Sequence, residues 1–332
     1  MISGANDPLV SVLMSCYNGE PWLREAIESV LGQSVIDFEF IVIDDGSKDR
    51  TWEIIREYAA KDSRIVAHTK ANSGLADTLN LGLSMARGKW LARMDQDDIC
   101  EPRRLEAQLA YVQAHPETIL LGSGFAEINS EGLVLKLQTY PRNHGALVRH
   151  LERAQRYFPH SSAFYRLDKA LQVGGYTIRF RYADDYRLWL DLSRLGKSAC
   201  LVEPLVKIRK HPGQMSLDAN GRRQIIDRTA AIVCHFLKIK GEPDPATTAD
   251  VQKWADFILW IETALDRNGY FRQQATWVGA RQAFFSSRNK LAGLMQFSRK
   301  LLASGHAWAL LWAKLFGSRL GQRLAKHYIQ PE

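Results

Sequence analysis

Cysteine is scarce in this chain. Cys16, Cys100, Cys200 and Cys234 lie far apart and form no CxxC pair. That spacing rules out a disulfide scaffold, argues against a cysteine-built zinc site and makes reduced thiols in a cytosolic compartment the default. No run of about 18 apolar residues occurs, so no transmembrane helix is expected. The opening MISGANDPLV has neither the basic segment nor the apolar run of a signal peptide, so export is not expected. The first loop after an apolar run, SCYNGEP, is not GxGxxG. It offers no phosphate cradle of the dinucleotide type, which argues against an NAD enzyme. Internal repeats and low-complexity segments are also missing. What remains is a 332-residue chain with 46% apolar and 24% charged residues. That composition can bury a sizeable core, and the length suits one large domain with an appendage, or two domains.

Charge is unevenly placed. The net charge is +8 overall, but residues 1–220 are close to neutral and residues 221–332 carry the whole positive excess. Five of the nine tryptophans, Trp254, Trp260, Trp277, Trp308 and Trp312, also fall in that last third. A catalytic domain over 1–220 and a basic, tryptophan-rich region over 221–332 are expected, the latter suited to an anionic surface.

The first half alternates strands with helices. Val10 to Ser15, Phe38 to Ile43, Ile65 to His68 and Lys89 to Met94 are short apolar runs of the kind buried in parallel sheets. Between them, Leu23, Ala26, Ile27, Val30 and Leu31 recur at helical spacing, with Pro21 suited to the first turn and Gly32 to the stop. Further helices are expected around Trp52, Ile55 and Ala59, and around Leu75, Leu79 and Leu83. The order βαβαβαβ implies a mostly parallel sheet with helices on both faces. Ligands of such sheets bind beyond the carboxyl ends of the strands. Three polar clusters sit at such ends, Ser15–Asn18, Asp44–Ser47 and Asp95–Asp98, and should converge on one cleft. Residues 119–220 read as irregular, with short strand candidates at Ile119–Leu121 and Leu133–Leu137 and one helix pattern at Asp184–Leu195. From residue 222 the chain reads as largely helical, with a break at GEPDP (241–245).

Each cluster has a plain and a functional reading. Asp95-Gln96-Asp97 can be a solvated turn. Two carboxylates two apart at a strand end can also hold a hard divalent cation, which in turn holds a diphosphate. Asp44-Asp45-Gly46-Ser47 is an ordinary Asp-Gly turn, or a carboxylate that accepts hydrogen bonds from a nucleobase or ribose. Tyr17 is a packed aromatic or a stacking platform for a base. Asp184 and Asp185 complement a helix dipole, or supply a base. His211 is a loop histidine before Pro212, or a ligand. Arg93, Arg103 and Arg104 contact phosphates, or pair with nearby acids.

Taken together the spacing is more specific than its parts. VSVLMSCYNGEPWLREAIESVLGQS, FEFIVIDDGSKDRTWEII and ANSGLADTLNLGLSMARGKWLARMDQDDICEPRRL resemble the family 2 glycosyltransferases with their GT-A nucleotide-diphosphosugar-binding fold. HSSAFYR (160–166), VGGYTIRFRYADDYRLWLDL (173–192) and KIRKHPGQMS (207–216) extend the resemblance, which covers about residues 9–217. It implies an inverting, metal-dependent enzyme with Mg²⁺ or Mn²⁺ that uses a nucleotide-diphosphosugar donor and a saccharide or lipid-linked acceptor, as in bacterial cell-surface polysaccharide synthesis. Ser15, Tyr17 and Asp45 match positions that hold nucleobase and ribose, with Asn18 and Asp44 beside them. Asp95 and Asp97 match the DxD motif, with Asp97 the direct metal ligand and Asp95 also toward the nucleotide. His211 lies where relatives place a histidine near metal and diphosphate. Asp185 matches the catalytic base. Relatives carry Glu at the preceding position, where this chain has Asp184, so either member of the pair can be the base.

Two other classes compete. A sugar-phosphate nucleotidyltransferase also joins a nucleotide-binding α/β sheet to a metal, but wants a Gly- and Arg/Lys-rich first loop that Ser15–Glu20 lacks. A non-catalytic scaffold working through its basic tail conflicts with the complete acidic set Asp45, Asp95, Asp97 and Asp185. The tail itself reads two ways. Leu302, Trp308, Leu311, Trp312, Leu315 and Phe316 share a helical face, with Lys314, Arg319, Arg323 and Lys326 nearby. Such a helix lies in an anionic membrane interface, placing a cytoplasmic protein peripherally on the inner membrane, or packs on the catalytic domain. Nucleic acid is not an expected partner, since no recognition motif accompanies the charge.

Overall fold

The structure is a computed structural model and describes residues 7–155, 157–212, 214, 221–271, 295 and 319–329. Two compact units are distinguished, one of Met1–Arg149 with Arg156–Asp218, the other of His150–Gln155 with Ala219–Glu332.

The first unit is built on β1 (Val10–Cys16), α1 (Leu23–Leu31), β2 (Phe38–Asp44), α2 (Thr51–Ala59), β3 (Ile65–Thr69), α3 (Leu75–Met85) and β4 (Trp90–Asp95). The order β3-β2-β1-β4 is wholly parallel. Every residue of β2 is buried, which is why the strand is apolar apart from Glu39, which accepts from Ser11 Oγ, and Asp44 at its end. Alternation along β1 sorts the helices. Val10, Val12, Met14 and Cys16 join a cluster with Leu23, Ile27 and Val30 of α1 and Ile54 and Ile55 of α2. Leu13 points the other way onto α3, so closely that a Cβ added at Gly82 would lie 2.2 Å from its Cδ1. The sheet is therefore covered on both faces. Helix α1 starts at Leu23, just past Pro21, after a turn in which the amides of Trp22 and Leu23 donate to the Gly19 carbonyl.

The stretch expected to be irregular instead supplies much of the sheet. After β5 (Ile99–Cys100) and α4 (Arg104–Ala114), which precede it, it carries β6 (Thr118–Ile128), β7 (Val134–Gln138), α5 (His144–Glu152), β8 (Phe164–Arg166), α6 (Leu167–Gln172), α7 (Asp184–Leu192) and β9 (Lys197–Arg209). The sheet continues from β4 through β8, β6 and β9 to β5, with β7 on β6. Strand β8 is antiparallel to β4 and β6, while β9 runs parallel to β6 with three register irregularities. Gly124 sits at two of these, where a Cβ would lie 2.5 Å from the carbonyl oxygen of Val202 and 3.0 Å from that of Gln138. Strand β7 is the exposed rim, with Leu133, Val134, Leu135 and Leu137 all open to solvent.

The second unit is helical where it is described: α8 (Gly221–Ile239), α9 (Val251–Arg267) and α10 (Leu320–Ile329). Asp250 caps α9 by accepting from the amides of Gln252 and Lys253. Arg222 ties α8 to α9 through Glu262 and Asp266. The Leu302–Phe316 face expected at a membrane lies outside the described residues. Among the described residues no helix is long and apolar enough to cross a membrane. All four cysteines are buried, and none forms a disulfide.

Candidate active site

The parallel register sets the three polar clusters side by side. Ser15 of β1 pairs in register with Asp95 of β4, and Cys16 with Asp44 of β2. The loops that follow are cross-linked. Gln96 brackets the backbone of Tyr17, accepting from its amide at 2.8 Å and donating to its carbonyl at 3.0 Å. Asn18, with φ of 49°, donates from its amide to Ser47 Oγ and accepts from the Lys48 amide. Its side chain thus joins the first loop to the second. Tyr17 itself is 45% exposed, which leaves its ring open to a stacking partner. Ser15 is half-buried at the strand end.

Asp44 and Asp45 are both buried. Asp44 accepts from the Ser47 amide at 3.1 Å and from Thr69 Oγ1 at 2.8 Å. Asp45 accepts from Lys70 Nζ at 2.6 Å and from the amides of Ser73 and Gly74. Burial raises the Asp45 pKa, but Lys70 and the two amides outweigh it and hold it below the ordinary carboxylate value. The carboxylate therefore shapes the loop that leads into α3.

The Asp95–Asp98 turn is the densest electrostatic feature. Arg93, fully buried, places Nη2 2.5 Å from Asp95 Oδ1. Burial raises the Asp95 pKa, and Arg93 brings it back below the ordinary value. Ser161 Oγ, on the short helical turn before β8, lies 2.6 Å from Asp95 Oδ2 and 2.5 Å from Asp98 Oδ2. One hydroxyl has one proton to give. If it serves ionised Asp95, Asp98 must itself be the donor. Burial and its two acidic neighbours do raise the Asp98 pKa well above normal. Asp97 stands apart from this chain: its Oδ2 lies 2.8 Å from His211 Nε2. Burial and Asp95 raise the Asp97 pKa against the opposing pull of His211. The His211 ring packs on Trp22, with centroids 4.0 Å apart.

This donor set can be tested against the expected Mg²⁺ or Mn²⁺. Among the described residues no three His, Cys, Asp or Glu side chains gather into a cage. Asp95 and Asp98 are committed to Arg93, Ser161 and the Arg209 amide. Asp97, partly exposed, and His211, buried beside it, remain as the pair not taken up by these contacts. That fits a hard cation which takes one or two protein ligands and completes its shell with phosphate oxygens and water.

The pair at the start of α7 is asymmetric. Asp184 is buried, and its Oδ2 has no hydrogen-bond partner. Burial first and then Asp185 push its pKa up to about 8. Asp185 is only half-buried and accepts from the Tyr186 amide at 2.6 Å. Trp189 of the same helix packs edge-on against Tyr165, with centroids 5.5 Å apart. Arg93 lies within electrostatic reach of Asp184, which relates α7 to the Asp95 turn.

Each of the flanking arginines has a partner within the protein. Arg93 serves Asp95, Arg103 pairs with Glu106 at 3.1 Å, and buried Arg104 donates to the carbonyls of Arg93 and Ala163. Gln96, Ser161, Trp22, Lys70 and Arg209 were not singled out by sequence. All but Lys70 stand inside motifs that were, and position within the motif was the signal available.

Residues 11–186 match the model of glycosyl transferase family 2. The amylovoran biosynthesis glycosyltransferase AmsE of Erwinia amylovora is 32% identical over 205 residues, covering 60% of this chain and 76% of that protein. The crystal structure of S. aureus TarS 1–349 with UDP-GlcNAc superposes with a TM-score of 0.58 at 18% identity, covering 97% of this chain and 92% of that one. The mannosyltransferase PcManGT of Pyrobaculum calidifontis, solved with GDP-Man and Mn²⁺, gives 0.52 at 17% identity, covering 93% and 89%.

Proposed function

Since the chain belongs to glycosyl transferase family 2, we propose that it is an inverting, metal-dependent transferase that moves a sugar from a nucleotide-diphosphosugar to a saccharide or lipid-linked acceptor, in bacterial cell-surface polysaccharide synthesis. The observation that carries the metal-dependent part is the Asp97–His211 pair at the carboxyl end of β4. Amylovoran synthesis by a relative supports the polysaccharide context. Structures of the same fold with UDP-GlcNAc, or with GDP-Man and Mn²⁺, support the donor class and the ion.

In this reading Tyr17 stacks on the nucleobase, while Asp45 and Asp44 hold the loops that frame base and ribose, with Ser15 at the strand end and Asn18 clamping the loops together. Asp97 and His211 hold Mg²⁺ or Mn²⁺, with Asp95 orienting the turn. The ion, when bound, offsets the charge that develops on the departing diphosphate. Asp185 is the base. At neutral pH Asp184, with its pKa near 8, keeps its proton, and only the more exposed neighbour is ready to take one from an acceptor hydroxyl. Asp185 would then deprotonate that hydroxyl as it attacks the anomeric carbon opposite the leaving group, which gives inversion.

The test is release of UDP or GDP from a panel of nucleotide sugars with Mn²⁺, run on the wild type and Asp97→Asn. Turnover should be lost in the variant, together with most metal-dependent donor binding. Near-normal turnover in Asp97→Asn would remove the metal assignment.

A further inference from the structure

Arg209, the last residue of β9, is 2% exposed, and its hydrogen bonds converge on four separate segments. Its amide donates to Asp98 Oδ1 at 2.9 Å, and its Nε donates to the Asp97 carbonyl at 3.1 Å. Nη1 donates to the carbonyls of Ser130 at 3.0 Å and Asn129 at 3.4 Å, in the β6–β7 turn. Nη2 pairs with Glu25 of α1. Its carbonyl accepts from Gln214. The guanidinium also stands 6.0 Å from the ring centre of Trp22, the ring on which His211 packs.

The pattern is a clasp. The peptide of Asp97 is gripped by the Arg209 side chain, and the carboxylate of the next residue grips the Arg209 backbone. Two residues beyond Arg209, His211 meets the Asp97 carboxylate. From what this side chain grips, and resting on the metal reading above, we propose that Arg209 is the positioning residue that fixes Asp97 and His211 at their working separation. A planar fork with five donors can reach a loop carbonyl, a hairpin turn and a helix carboxylate at once. A lysine ammonium, a single point of charge, cannot span those directions. The clasp also ties the cation-facing loop to the β6–β7 turn, which is ordered by Asn129 accepting from the amides of Glu131 and Leu133.

The experiment measures Mn²⁺ binding by the paramagnetic resonance signal of the free ion, with UDP and separately with GDP, in the full chain. Wild type, Arg209→Lys and Glu25→Gln are compared, and thermal melting of each is recorded. Arg209→Lys should still melt cooperatively while its Mn²⁺ affinity falls by about tenfold or more, the scale seen when partners behind a metal ligand are removed. A folded Arg209→Lys that binds Mn²⁺ like the wild type overturns the positioning role and leaves the proposed function standing. If Arg209→Lys does not fold, Glu25→Gln decides. Weakened Mn²⁺ binding there supports the clasp, and unchanged binding overturns it. A wild type that binds no Mn²⁺ with either nucleotide takes down the metal reading and the clasp together.

Discussion

Asp184 and Asp185 differ by one position and by most of their chemistry. Replacing Asp185 by Asn should cut turnover by about 10² or more, the usual scale for losing a general base, with donor binding little changed. Asp184→Asn should cost far less, because the native side chain is already neutral at pH 7. The opposite order of losses, measured by steady-state kinetics, would move the base by one residue. Stability gives a second check, with its sign fixed by linkage. Between the ordinary value of 3.8 and about 8, the unfolded chain has released a proton that the folded chain still binds, so stability falls as pH rises through that window. Asp184→Asn removes this term, and its stability relative to wild type should improve steadily from pH 4 to pH 8 in urea titrations. A flat difference would mean that Asp184 ionises normally. What the sequence made visible here was the presence of two acids. Which one is enclosed depends on how Trp189 and the rest of α7 pack against Tyr165 of β8, and no spacing rule encodes that. The same holds for Asp45, whose partners Lys70, Ser73 and Gly74 come from a loop some 25–29 residues away.

Strands β1, β2 and β4 were legible because strands buried on both faces are mostly apolar, and helices between them keep a 3.6 period. Strand β9 was not, because its sequence KSACLVEPLVKIR breaks its apolar run at Glu203-Pro204, where the pairing with β6 shifts register. Proline and charge look like a loop until the partner strand is known. Strand β8, three residues long, carries too little pattern to read at all. The irregular crossing also makes a prediction. At Gly124 a methyl group meets backbone carbonyls of both neighbouring strands, 2.5 Å from Val202 and 3.0 Å from Gln138, and backbone cannot rotate aside as a side chain can. Gly124→Ala should destabilise by about 1–3 kcal/mol, as overpacking generally does. A melting temperature within a degree of wild type would show that the sheet can widen there.

For the molecule as a whole, the division of charge matters most. From the positive excess of residues 221–332 we propose peripheral attachment to anionic membrane. Each Lys or Arg close to such a surface contributes about 1 kcal/mol, and salt screens it. The full chain should sediment with anionic liposomes at low ionic strength and leave them at high; no sedimentation at low salt would refute the attachment. The enclosed thiols have a different use. Cys16, Cys100 and Cys200 belong to the first unit and Cys234 to the second. Burial raises the pKa of Cys100, and pushes that of Cys200 up to about 12, so an alkylating reagent at pH 8 finds almost no thiolate until the chain opens. Iodoacetamide should leave the native protein unmodified. In rising urea the alkylated peptides, identified by mass, should record when each unit opens, as two chemical clocks already written into the chain. Fast modification of Cys16 without denaturant would contradict that.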